Sequence, residues 1–144
     1  MKDNDQLRNE EKIKFSPNEI KFLSSNEACR IATISPENTP HVAPVSYFFE
    51  KGLFYFATDY ETRKYKNLKK NPKIALVVDV YSSVNNRAVI IHGRIKFIER
   101  GTIFERLYDI FDRKFEWVRQ DPWKEGEAPF VEVNAYKKIS WGLD

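Results

Sequence analysis

Cysteine is nearly absent from this chain. Cys29 stands alone among 144 residues, which excludes an intrachain disulfide framework and a cysteine-cluster metal site. Histidine is almost as scarce, with only His41 and His92, so no metal centre is expected. Long apolar runs are missing too. Nothing approaches a membrane span, and the opening Met1-Lys-Asp-Asn-Asp-Gln has no apolar stretch of the kind a signal peptide needs. The expectation is a cytoplasmic protein with a reduced thiol and no membrane partner. An excess of one charge is also lacking. Lys+Arg 24 against Asp+Glu 21 leaves +3, too little to imply a nucleic-acid partner.

Aromatic residues are plentiful, with Phe 11, Tyr 7 and Trp 3. That bulk can fill one sizeable core or a slot for a flat ligand. Residues 1–15 carry charges of both signs and read as an arm, frayed or helical on a surface. Residues 16–144 read as one domain. Three helix starts are predicted. Ser16-Pro-Asn-Glu19 offers an N-cap serine, a proline at the first helical position and a glutamate three residues after the cap. Thr58-Asp-Tyr-Glu61 has the same Thr-x-x-Glu form and opens a helix ending near Asn71-Pro72. Thr102-Ile-Phe-Glu105 opens the third, with Ile103, Leu107, Ile110, Phe111 and Phe115 at helical spacing.

Between these lie six strand-like runs: 29–35, 42–49, 53–57, 74–80, 88–98 and 130–141, the last with a break near Ala135-Tyr136. Tight turns at 36–39 and 50–52 imply antiparallel pairing, because parallel strands need long crossovers. Pro44 inside a strand marks an edge or a bulge. The sum is a mostly β, α+β fold, a small antiparallel barrel with peripheral helices.

Several of these segments carry a resemblance. The run Leu53-Phe-Tyr-Phe-Ala-Thr-Asp-Tyr-Glu-Thr-Arg-Lys-Tyr-Lys-Asn-Leu68 resembles the pyridoxamine 5′-phosphate oxidase-like, FMN-binding split-barrel family. So do Arg30-Ile-Ala-Thr-Ile34, Pro40-His-Val-Ala-Pro-Val45, Asn71-Pro72 before Ile74–Asp79, Arg87-Ala-Val-Ile-Ile-His-Gly93 and Lys138-Ile-Ser-Trp141. Order and spacing together make the match specific. The resemblance covers residues 16 to 142 and implies a six-stranded antiparallel split barrel, a homodimer, and FMN at the dimer interface.

FMN ends in a phosphate dianion, which needs fixed positive charge and hydrogen-bond donors. Arg63 and Lys64 sit in the first turn of the second helix, where backbone N–H groups and the positive dipole end point the same way. By resemblance, Arg30, Thr58, Arg63 and Lys64 hold the phosphate and ribityl chain, with Arg30 reaching the anion across the barrel. Thr62 adds a second hydroxyl beside Thr58, and Ala57 leads into them. Arg30, Ile31, Ala32 and Thr33 lie on the strand expected to offer backbone groups to the flavin ring. Pro44 and Val45 are expected to touch the ring or its chain. Trp141 matches a tryptophan that contacts the flavin from the neighbouring subunit, and Arg87 starts a strand bordering the partner's flavin. The remaining basic residues of the run, Lys66, Lys69, Lys70 and Lys73, read as a solvated helix face. His41 and His92 read as strand residues, and Cys29 as buried and inert.

The resemblance implies a flavin-dependent oxidoreductase, since the cofactor carries the redox chemistry and no acid–base constellation is evident. The oxidase's own substrate is not expected. Ser35 stands where the oxidase's first-strand motif ends in lysine, and the arginine–histidine segment beyond the closing tryptophan is absent. Two alternatives remain. One is a deazaflavin with an acidic lactyl-glutamate tail, served by the basic helix. The other is flavin or haem carriage without turnover.

Overall fold

The structure is a computed structural model, and residues 13–144 are described. The expected arm therefore lies, but for its last residues, outside the described part. The order is α1 (Pro17–Ser25), β1 (Ala28–Ile34), β2 (Pro40–Ser46), β3 (Phe48–Glu50), β4 (Leu53–Ala57), α2 (Arg63–Lys70), β5 (Lys73–Val80), β6 (Arg87–Ile98), α3 (Thr102–Lys114), α4 (Glu116–Gln120) and β7 (Phe130–Trp141). All strands form one antiparallel sheet in the order β2-β1-β5-β6-β7-β4-β3. It curls until β2 comes close to β4 with no ladder between them. This is the expected split barrel. Among the described residues no helix is long and apolar enough to cross a membrane.

Strand alternation sorts the side chains. Cys29, Ile31, Leu76, Val78, Val89, Ile91, Phe54 and Phe56 point inward with Leu68 of α2 and form the barrel core. Burial pushes the Cys29 thiol up to about 12, which leaves it inert at neutral pH. On the other side of β4 and β7, Tyr55 and Phe130 meet Phe104, Leu107, Phe111, Phe115 and Val118 of α3 and α4 in a second aromatic cluster.

Among the described residues seven strands stand where six were expected, because the run 42–49 breaks at Tyr47. The Tyr47 N–H donates to the Glu27 carbonyl and its hydroxyl to the Leu23 carbonyl at 2.6 Å. Pinned there, the chain leaves β1 and continues as β3 against β4. Pro44 lies on the edge strand β2, as predicted. The break near Ala135-Tyr136 is a bulge: His92 pairs with Lys137 and Gly93 with Ala135, leaving Tyr136 extra. The bulged backbone crosses Gly93 so closely that a Cβ there would sit 2.8 Å from the Asn134 carbonyl oxygen.

Two helix starts differ from expectation. The cap of α2 is Thr62 rather than Thr58. The cap of α3 is Gly101, with φ 96°, rather than Thr102. The short α4 was not expected. The capping box of α1 forms as predicted: Glu19 N–H donates to Ser16 Oγ at 3.1 Å, and Ser16 N–H to Glu19 Oε1 at 2.8 Å.

Glu19 also ties α1 to β7. Its carboxylate accepts from Lys138 Nζ and from Ser140 Oγ at 2.6 Å. Burial alone raises its pKa, but the bonds from Lys138, Ser140 and the Ser16 N–H outweigh burial and bring it down from 4.5 to about 2. A carboxylate depressed by folding contributes stability that is complete above its unfolded pKa and is lost as pH falls through the folded one. Wild-type stability is therefore expected to decline between about pH 4.5 and 2 through this group. Urea titrations of Glu19→Gln should show lower stability at pH 7, on the order of 3 kcal/mol, and a shallower acid limb. An unchanged limb refutes the latch.

Candidate functional site

The turn before α2 is built by two threonines. Thr62 Oγ1 donates to the Asp59 carbonyl at 2.8 Å and accepts the Tyr65 N–H at 3.3 Å. Thr58 Oγ1 lies 2.9 Å from Thr62 Oγ1. Since the Thr62 proton is committed to Asp59, Thr58 is the donor in that pair. Both hydroxyls thus take part in shaping the turn. The turn itself carries Asp59 and Glu61, and the cations Arg63 and Lys64 follow it at the start of the helix. The first turn of α2 holds no acidic residue. Among the described residues neither Arg63 nor Lys64 pairs with a carboxylate. The first-turn N–H groups of a helix lack intrahelical partners, and their dipole end adds positive potential.

Consecutive helical residues diverge by about 100°, so Arg63 and Lys64 enter different clefts. Arg63 lines one of about 280 Å³ with Ser35, Glu37, Thr39, His41 and Asn67. Asn67 is only 1% exposed. Its Nδ2 donates to Thr33 Oγ1 at 3.0 Å, while its Oδ1 and the buried His41 Nδ1 have no partner. Buried polar atoms without partners are uncommon, and two lie around one cleft. Lys64 lines the other, of about 140 Å³, with Ala57, Thr58 and two tryptophans.

The remaining predicted residues lie elsewhere. Arg30 does not reach across the barrel to α2. It shares the outward face of β1 with Ala32 and Ile34, while Asn67 of α2 bonds Thr33 on the inward face. Its guanidinium instead pairs with Asp79 at 2.9 Å, and 62% of its side chain is exposed. Ile31 is buried in the core and Val45 packs against it, so their side chains are barrel filling. Pro44 is exposed, opposite Arg30. Trp141 is exposed too, its Nε1 donating to Asn86 Oδ1 at 3.1 Å. Arg87 lines a third cleft, its guanidinium 5.5 Å from the Phe22 ring centre. The structure thus gathers Ala57, Thr58, Thr62, Arg63 and Lys64 around one helix end. Arg30, Ala32, Pro44 and Trp141 do not join them in a single chain. Among the described residues no cluster of His, Cys, Asp or Glu could hold a metal ion.

Comparison with known proteins gives this geometry a context. Residues 16–135 match the family described as pyridoxamine 5′-phosphate oxidase. A 5a,11a-dehydrotetracycline/5a,11a-dehydrooxytetracycline reductase from Streptomyces rimosus subsp. rimosus is 33% identical over 94 residues, 60% of this chain and 66% of that protein. A pyridoxine/pyridoxamine 5′-phosphate oxidase from Crocosphaera subtropica is 42% identical over 57 residues, 38% of this chain and 26% of that protein. The matched stretches thus span less than two thirds of these curated relatives. The haem storage protein HutZ from Vibrio cholerae superposes with a TM-score of 0.74 at 11% identity, covering 91% of this chain and 97% of its own, which is a likeness of fold.

Proposed function

Because the chain belongs to the pyridoxamine 5′-phosphate oxidase family, we propose that it is a flavin-binding oxidoreductase that grips the phosphate of FMN with the first turn of α2. The observation that carries this reading is the pair Arg63 and Lys64, unpaired among the described residues, on a helix start without an acid. The donor set fits the group. Arg63 presents a fork that suits phosphate oxygens, Lys64 a point charge, and the first-turn N–H groups not taken by the Thr62 cap complete the cradle. On the Arg63 side, Asn67 Oδ1 is a buried acceptor in need of a donor, which a ribityl hydroxyl supplies. A bound flavin accepts or delivers electrons at its ring. The chain's part is to bind, orient and shield.

The reductase relative supports redox chemistry on a small molecule. The unidentified substrate is read as other than the oxidase's. A second copy of the chain is expected over the outward sheet face, where Ile34, Val42, Ile139 and Trp141 are exposed. That copy would bring Trp141 and Arg87 to its neighbour's flavin.

The test is the visible spectrum of the purified protein and the mass of any small molecule it releases. Two visible bands and a flavin mass are expected. A single near-violet band would indicate a deazaflavin instead. Colourless protein that stays colourless after incubation with FMN overturns the reading.

A further inference from the structure

The Arg63 cleft holds more polar groups than a phosphate can use. Asn67 and His41 both converge there on Thr33. Asn67 spends its Nδ2 on Thr33 Oγ1 at 3.0 Å, which leaves Oδ1 for the cleft. His41 of β2 stands directly opposite Thr33 of β1 in the ladder, and opposed residues of an antiparallel pair put their side chains on the same face. His41 Nδ1 is buried and, like Asn67 Oδ1, has no partner among the described residues. The turn between β1 and β2 closes the cleft. It is folded around Ser35 Oγ, which accepts the N–H groups of Glu37 and Thr39 at 3.2 and 3.1 Å. Glu37 adds a carboxylate to the wall.

These groups sort by what each can face. Phosphate oxygens accept hydrogen bonds, and so do Asn67 Oδ1 and the Glu37 carboxylate. Neither can meet the phosphate, and both need a donor. Arg63 only donates, so the anion belongs to it. The chain between a flavin's ring and its phosphate is a run of hydroxylated carbons. A hydroxyl donates once and accepts twice. One such group satisfies both unpartnered atoms, donating to Asn67 Oδ1 and accepting from His41 Nδ1–H. A bare hydrocarbon chain would leave both buried and unpaired, which is costly.

We propose that His41 is a further cofactor-binding residue: its Nδ1–H and Asn67 Oδ1 share one hydroxyl of the flavin's ribityl chain, so that the site selects a hydroxylated link between ring and phosphate. The proposal rests on the phosphate reading of α2 and adds His41 and this selection to it.

The test compares FMN with 2′,3′,4′-trideoxy-FMN, which keeps ring and phosphate but has hydrogen in place of every hydroxyl between them. Each is titrated into the purified full-length protein and followed by flavin fluorescence. FMN is expected to bind about tenfold more tightly, the cost of a buried polar atom deprived of its partner. His41→Phe keeps a flat ring and removes the donor. It should weaken FMN by about three- to tenfold without weakening the trideoxy compound, whose retention also shows that the variant is folded. His41→Asn returns a donor near the place of Nδ1 and should recover part of the preference. Arg63→Ala should weaken both ligands by the same factor. Equal wild-type affinities for the two ligands overturn the proposal and leave the phosphate site standing. So does a His41→Phe variant that weakens both equally or neither, or a His41→Asn variant that recovers nothing. If neither ligand binds the wild type, the phosphate reading fails and the His41 assignment falls with it.

Discussion

Phe130→Ala is expected to lower the free energy of unfolding by about 3–5 kcal/mol. Phe130 is 0% exposed and opens β7. Its ring centre lies 5.1 Å from Phe104, 5.0 Å from Phe111 and 5.7 Å from Trp123. It therefore joins the sheet to α3 and to the segment carrying Trp123. Removing the ring leaves a hole walled by stiff aromatics that collapse poorly, so the cavity penalty adds to the lost burial. Against a usual total of about 5–15 kcal/mol, that is a large fraction. Urea unfolding followed by circular dichroism measures it. A loss below about 1 kcal/mol would mean that the cluster closes over the gap and does not hold α3 in place.

Arg63→Ala and Lys64→Ala are each expected to weaken flavin retention. A hydrogen bond to a charged group is worth about 1.5–3 kcal/mol, or roughly ten- to a hundredfold in affinity. The double variant should lose nearly all bound flavin on dialysis. Unfolding does not account for such a loss, because cations at a helix N-terminus oppose the dipole and their removal does not weaken the helix. Arg63→Lys should fall between, keeping charge while losing the planar fork. Spectroscopic flavin occupancy after dialysis is the readout. A double variant with undiminished occupancy would remove the phosphate assignment from α2.

Much of the fold was legible where chemistry is local. Ser16 and Glu19 spell a capping box and form one. The alternating runs became strands within a residue or two, and Pro44 marked an edge. The misreadings arose where distant partners decide. Thr58 and Thr62 are both plausible caps in one dimension. The bond between them, with Asp59 turned back toward Thr62, makes the second the cap. Thr102 loses the same contest to Gly101, whose positive φ suits the turn out of β6. The break at Tyr47 depends on α1, 24 residues earlier. At the candidate site, the cationic pair was visible as a motif. That Arg30 faces away from α2 was available from alternation, since Ala32 and Ile34 share its side. The placement of Asn67, Trp117 and Trp123 was not legible, because an unpartnered buried atom and a stacked pair exist only after folding.

The free margin of the sheet carries one more implication. β2 ends the sheet and contains both Pro40 and Pro44. Proline has no amide hydrogen, so a border strand with two of them, four positions apart, is a poor template for another chain. At the opposite border, β3 is only three residues long. The polypeptide is thus protected at both rims against ribbon-like self-propagation, and crowded stocks should resist fibril seeding for a reason unrelated to the cofactor.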